Sequence, residues 1–213
     1  MAQTIAVIDY GMGNLRSVAK AVEHLADAGD RVRVTDDPAQ ILAADRVLFP
    51  GQGAARDCMK AISDHHLNRA VLDAAGSKPF LGICMGLQVL MEFSEENEGT
   101  ELLGLLPGRV RRFDPDAGEG GAHLKIPHMG WNRVHHTGGH PLWRDIPQDS
   151  RFYFVHSYFV DPVDKAMIAA TTGYGIDFAS ALAKDNLFAV QFHPEKSARD
   201  GLTLLRNFLR WDI

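Results

Sequence analysis

Short apolar runs alternate with amphipathic stretches through the first half of the chain, and this alternation limits the fold more than any other feature. Residues 4–8, 31–34, 45–49 and 79–83 read as strands, the third stopped by Pro50-Gly51. Residues 15–28 read as a helix capped by Asn14 and ended by Gly29. Helical patterning also fills the stretch up to about Ala75, and residues 87–93 follow the fourth strand as a helix. Such a succession builds right-handed crossovers on a mostly parallel sheet.

The second half changes character. From Leu106 to Phe192 the apolar runs are strand-like and the spacers turn-like, as at Gly138-Gly139, Asp161-Pro162 and Asp185-Asn186. Residues 152–156 and 188–192 are strands by their aromatic and β-branched content. A last amphipathic helix runs over about 199–211, with Leu202, Leu205 and Leu209 on one face. The acidic, glycine-rich residues 114–121 read as a mobile surface loop. With no interdomain linker, the chain reads as a single domain over residues 1–213. The expected class is α/β: a three-layer, flavodoxin-like, mostly parallel sheet with an added antiparallel β region.

Composition narrows the function. At 213 residues and 46% hydrophobic, the chain can build one sizeable globular core. A formal net charge of −5 argues against nucleic acid, whose phosphates want a basic face. Arg109, Arg111 and Arg112 form a tight basic cluster that reads as a solvated strand edge. Two cysteines, Cys58 and Cys84, do not make a disulfide framework, which points to the cytoplasm. The first residues lack a basic n-region, so no signal peptide is expected. No apolar run approaches the roughly 18 residues that span a bilayer, so no membrane is expected either.

Three segments carry chemistry. Gly82-Ile83-Cys84-Met85-Gly86 lies between a strand and a helix. A nucleophile on such a turn takes a strained backbone that flanking glycines relieve. The turn exposes the sulfur at the carboxyl end of the sheet, sets it by a helix N-terminus that favours thiolate, and aims the Met85 N–H at a developing oxyanion. His193-Pro194-Glu195 follows the run ending at Phe192. A His and a Glu two apart on an extended segment project to one side, so the carboxylate can fix the imidazole tautomer for a base that serves the thiol. The tripeptide taken alone reads better as an exposed loop end. Pro50-Gly51-Gln52-Gly53, again at a strand end, has glycines that let a peptide N–H swing into a site or simply make a tight turn. All three fall at carboxyl ends of strands, where open α/β sheets place their sites.

Together the set, extended through Leu87-Gln88, resembles the class I (triad) glutamine amidotransferases. Asp9-Tyr10-Gly11-Met12-Gly13-Asn14-Leu15, Pro127-His128-Met129-Gly130-Trp131-Asn132 and Tyr153-Phe154-Val155-His156-Ser157-Tyr158 are similar, more narrowly, to the glutaminase subunits of imidazole glycerol phosphate synthase. The resemblance spans nearly the whole chain. It implies that Cys84 is the nucleophile, His193 the base and then acid, and Glu195 its orienter. It implies that Gln88, with the backbone of Gly51, Gln52, Gly53 and Met85 and the segment His156, Ser157, Tyr158, holds L-glutamine and its oxyanion. Asn14, Trp131, Asn132 and Tyr153 are implied to face a partner, the (β/α)₈ cyclase subunit, in a heterodimer. No cofactor or metal is implied. The family's third motif is usually Pro-Gly-Val-Gly, and Gln52 stands here for the valine. Because oxyanion donation uses the backbone, that change should not abolish it.

His65, His66, His135, His136 and His140 lack the spacing of metal ligands and read as exposed side chains. Gly11-Met12-Gly13-Asn14 has Arg16 where a dinucleotide loop needs its third glycine. Cys58, Trp143, Phe208 and Trp211 read as packing residues. The rival functions are another triad glutaminase, a cysteine-elbow peptidase and a silent regulatory subunit.

Overall fold

A computed structural model describes residues 2–118 and 123–213. Four strands open the chain: β1 (Thr4–Ile8), β2 (Arg31–Thr35), β3 (Arg46–Gly51) and β4 (Phe80–Cys84). They are linked by helices α1 (Leu15–Leu25), α2 (Pro38–Ala43), α3 (Ala55–Asp64) and α4 (Asn68–Ala75), and α5 (Met85–Gln88) follows β4. Strands then dominate: β5 (Phe93–Ser94), β6 (Thr100–Glu101), β7 (Gly108–Arg112), β8 (His128–Arg133), β9 (His135–His136) and β10 (Arg151–His156). After them come β11 (Tyr158–Pro162), β12 (Ile168–Tyr174), β13 (Ile176–Lys184) and β14 (Leu187–Val190), and α6 (Ala198–Leu209) closes the chain.

The sheet runs β2-β1-β3-β4-β14-β13-β11-β7-β5-β6, with β12 also pairing β13 and β9 pairing β12. From β2 to β14 every pairing is parallel, and beyond β14 the pairs to β7 are antiparallel. This is the α/β sheet with an antiparallel extension that the sequence pattern predicts. Strands β8 and β10 form a separate antiparallel ribbon.

Both faces of β1, β3, β4 and β14 are buried because these strands are almost wholly apolar, whereas the edge strand β2 keeps Arg31 and Arg33 in its run and is largely exposed. Ile5, Val7, Leu48, Leu81 and Ile83 pack toward Val18 and Val22 of α1 and Leu204, Leu205 and Phe208 of α6. The alternate residues Ala6, Ile8, Val47, Phe49 and Phe80 pack toward Ile41, Cys58, Ile62 and Val71 of α2, α3 and α4. One strand pleat thus feeds two cores, giving three layers.

Several local expectations are corrected. Helix α1 ends at Leu25 because Ala26 turns extended, and Asn14 makes no side-chain cap. Pro50 and Gly51 lie inside β3 rather than stopping it: β1 pairs with β3 only as far as Leu48, so the missing Pro50 N–H leaves no neighbour unpaired on that side. Only four helical residues follow Cys84, and Phe93 belongs to a strand. On α6 the buried face is Leu204, Leu205, Phe208 and Leu209, with Leu202 half-buried. The three arginines of β7 are exposed, but their strand is flanked on both sides, by β11 and β5. His136 and His140 are not exposed: His136 stacks on Trp143, and His140 packs between Phe188 and Trp211. Residues 119–121 of the acidic, glycine-rich loop lie outside the described residues.

Candidate active site

Three neighbouring strand ends meet at one point. In the parallel register Gly51 of β3 lies opposite Cys84 of β4, and Val190 of β14 lies opposite Ile83. Two segments that are distant in sequence, at positions 51–53 and 191–195, therefore flank the cysteine.

Cys84 has φ 56° and ψ −109°, a conformation that costs a non-glycine residue about 1–3 kcal/mol. Close packing holds it there. A Cβ on Gly82 would lie 2.6 Å from the Gly86 carbonyl oxygen, and one on Gly86 would lie 1.7 Å from the Phe49 carbonyl oxygen. The Gly-x-Cys-x-Gly spacing thus records two backbone contacts that admit no side chain. With only four residues, α5 adds little dipole at the sulfur, which leaves neighbouring side chains as the polar groups around it.

His193 is such a neighbour. Its Nδ1 lies 3.0 Å from Glu195 Oε1, and the two side chains are 3% and 1% exposed. The reach differs from the expected extended alternation. Residues Pro194–Lys196 form a 3-10 turn that folds the carboxylate back onto the ring. The Ser197 hydroxyl donates to the His193 carbonyl at 2.6 Å and accepts from Tyr153 N–H at 2.9 Å. His193 N–H donates to the Tyr153 carbonyl at 2.9 Å, so the turn is tied to β10. Burial lowers the His193 pKa, but Cys84 and Glu195 outweigh it and hold the ring up at about 10. Among the described residues, His193 Nε2 and Glu195 Oε2 are buried without a hydrogen-bond partner.

A cavity of about 480 Å³ opens over this cluster, lined by Cys84, His193, Gln88, Glu96, Ser157 and Tyr158, among others. Gln52, Gly53, Met85 and His156 also reach it. Gly51 does not line it; its place under the cysteine is set by space. A Cβ there would sit 2.0 Å from the Tyr10 hydroxyl oxygen and 2.9 Å from Met85 Cβ. Gly53, at φ +107°, is the residue of this segment that needs glycine's backbone freedom. Behind the segment, the Cys58 thiol donates to the Gln52 carbonyl at 3.5 Å, and burial pushes that thiol up to about 11.

Sequence reasoning missed three groups here. Gln191 Nε2 approaches Cys84 Sγ at 3.7 Å, and its Oε1 accepts from Gln88 Nε2 at 2.9 Å. Glu96 lines the cavity while accepting from Ala55 N–H at 2.7 Å, and burial raises its carboxyl. Tyr10 lies buried under Gly51, its phenol raised well above the usual value, first by burial and then by Cys58. Gln191 sits in an apolar run, and Glu96 in an acidic one that resembles a solvated face, so neither carried a local signal.

The set expected to face a partner is divided. Trp131 is 50% exposed and Met129 60%, and Tyr153 packs edge-on to Trp131 with Lys196 over its ring. Asn132 turns its side chain inward to His128 and the Gly173 carbonyl. Asn14 lines a narrow crevice that also touches Gly51, Gln52, His193 and Glu195.

A strained cysteine elbow beside a buried His–Glu pair, on a three-layer sheet, defines a class I glutamine amidotransferase, and the chain belongs to that family, which it matches over residues 6–211. Within it the chain groups with imidazole glycerol phosphate synthase subunit HisH. It is 58% identical to that subunit from Hydrogenovibrio crunogenus, covering 98% of this chain and 96% of the relative. It is 56% identical to imidazole glycerol phosphate synthase subunit HisH 1 of Pseudomonas aeruginosa, covering 100% and 99%. The glutaminase domain of Trypanosoma brucei CTPS, solved with bound acivicin, shares the fold at a TM-score of 0.65 and 20% identity, over 100% of this chain and 96% of that one.

Proposed function

We propose that this protein hydrolyses L-glutamine to L-glutamate and ammonia and passes the ammonia to a (β/α)₈ cyclase subunit, which forms imidazole glycerol phosphate in histidine biosynthesis. The observation that carries the reading is the His193–Glu195 pair, 3.0 Å apart and buried, whose ring responds to Cys84 beneath the cavity. Kinship to HisH subunits over nearly the full chain supplies the substrate and the partner.

Beside Cys84 and held by Glu195, His193 takes the thiol proton, which gives an imidazolium and a thiolate. The thiolate attacks the carboxamide carbon. Backbone N–H groups of Met85 and the Gly51-Gln52 segment hold the oxyanion. As the C–N bond breaks, His193 gives its proton to the leaving nitrogen, and ammonia departs from a γ-glutamyl thioester. Having given up that proton, the His193 ring is neutral, and Glu195 still fixes its orientation. His193 therefore becomes a base and takes a proton from water, whose oxygen attacks the thioester and releases glutamate and the thiolate. Gln88, Glu96 and the 156–158 backbone line the cavity where the α-amino and α-carboxyl groups of glutamine are held. Trp131 and Tyr153 face the cyclase, with Asn132 behind them on the same ribbon and Asn14 in the crevice beside the triad.

Residues 1–213 form a single glutamine amidotransferase domain in this reading, supported by the family match and the continuous sheet. No helix among the described residues is long and apolar enough to cross a membrane. Two unbridged cysteines suit a reducing cytoplasm. The test is a glutaminase assay of the chain co-purified with a candidate cyclase. Glutamate release that requires Cys84 is expected, and a complex that leaves glutamine intact would overturn the proposal.

A further inference from the structure

Two buried histidines outside the reacting cluster have a use that the mechanism above does not absorb. His128 of β8 and His156 of β10 are 4% and 6% exposed. His128 Nδ1 lies 2.9 Å from His156 Nε2. His156 Nδ1 lies 2.8 Å from the Tyr158 carbonyl oxygen. On the other side, Asn132 Nδ2 lies 3.1 Å from His128 Nε2.

The donors and acceptors in this row have one consistent assignment. A carbonyl oxygen only accepts, so His156 carries its proton on Nδ1 and leaves Nε2 as an acceptor. His128 must then donate from Nδ1, and its Nε2 accepts from the Asn132 amide. Both rings are neutral, as burial demands: it lowers their pKa values to about 4 for His128 and about 3 for His156.

The Tyr158 carbonyl that ends this row also accepts from Gln88 Nε2 at 3.1 Å. The same Gln88 nitrogen donates to Gln191 Oε1, and Gln191 Nε2 faces Cys84 Sγ at 3.7 Å. The polar chain is thus unbroken from Asn132, on the ribbon that exposes Met129 and Trp131, to the sulfur.

We propose that Asn132, His128 and His156 are positioning residues: a relay locked in one tautomer that ties the exposed β8–β10 ribbon to the Tyr158 carbonyl, and so to the Gln88–Gln191 pair beside Cys84. The relay rests on the glutaminase reading for its effect on substrate. Its proton arrangement stands without that reading. It fixes which way the Gln88 carboxamide points, donor toward Tyr158 and Gln191, leaving its oxygen for the cavity.

Two substitutions at His128 separate a relay from a packing role. His128→Phe keeps the ring stacked on Phe154 and Tyr174, whose centroids lie 4.9 and 4.1 Å away, but removes both hydrogen bonds. His128→Asn loses the stacking but puts an amide donor where Nδ1 stood, which keeps the bond to His156. Glutamine KM and kcat are measured for each in the complex with the cyclase subunit. His128→Phe is expected to raise KM about fivefold to tenfold with little change in kcat, and His128→Asn to restore most of that loss. A packing role predicts the opposite ranking, with phenylalanine the milder change. Nitrogen-15 imidazole signals of the labelled full chain are read in parallel. The wild type should show both His156 and His128 protonated on Nδ1, and both variants should keep His156 so, because the Tyr158 carbonyl still accepts from it. A wild-type KM in His128→Phe, or a wild-type His156 protonated on Nε2, would overturn the relay. If the wild-type complex proved inert toward glutamine, the functional reading would fall, and the imidazole signals would still decide the relay.

Discussion

Cys84 and Cys58 are both buried, yet their surroundings give them different chemistry. Cys84 sits at a strained elbow beside His193, whereas Cys58 sits behind the 51–53 segment with its thiol held up at about 11. Cys84→Ala should lower glutamine turnover by more than about a thousandfold and leave partner binding intact. Cys58→Ala, which loses one weak bond to the Gln52 carbonyl, should retain most of the activity. Steady-state kinetics of the two variants check this, and full turnover in Cys84→Ala would sink the mechanism. His193→Ala should be more damaging than Glu195→Gln, because the amide oxygen still accepts from the imidazole while the proton carrier itself is irreplaceable. Glu195→Gln should also move the ring's titration down from about 10, since it removes one of the charges that raise it. Greater damage from Glu195→Gln than from His193→Ala would reverse the assigned roles.

At the scale of elements, the buried histidines make stability depend on pH. Burial lowers His128 and His140 to about 4 and His156 to about 3, against about 6.5 in an unfolded chain. The unfolded chain therefore binds more protons below pH 6.5. The stabilisation is present above that pH and lost as pH falls toward 3–4. His140→Asn keeps the acceptor that caps the turn at Leu142 N–H and removes one titrating ring. Denaturant melts between pH 7 and 4.5 should show a shallower loss of stability in this variant, and an unchanged slope would contradict the burial argument. The parallel strands and the elbow were legible because apolar runs report two-sided burial and because glycines two residues either side of a cysteine report backbone contact. The short α5 and the passage of β3 through Pro50 were not, since periodicity does not say where a neighbouring strand stops pairing. Gln191, Glu96 and the His128–His156 row were hidden for a related reason. Their partners are far away in sequence, and a local pattern carries no trace of them.

For the whole molecule, the proposed function makes the release of ammonia separable from its use. With the cyclase subunit and a saturating ammonium salt at high pH, the complex carrying Cys84→Ala should still form cyclised product, because only ammonia release is lost. Failure of an intact complex under those conditions would give Cys84 a second task. The chain alone should turn over glutamine slowly and be switched on by the cyclase with its nucleotide bound, as the family resemblance implies. One correctly aimed oxyanion donor is worth about 10²–10³ in rate, so a reoriented peptide in the 51–53 segment would account for much of such a change. Equal turnover alone, with cyclase, and with cyclase plus nucleotide would remove the switch. The most direct test of the central claim is to mix the active complex with glutamine, quench it within a turnover, and examine the cysteine peptides by mass spectrometry. The account predicts a γ-glutamyl adduct on the peptide carrying Cys84 and none on that carrying Cys58. Turnover with no adduct on Cys84, unaffected by its replacement with alanine, would contradict it.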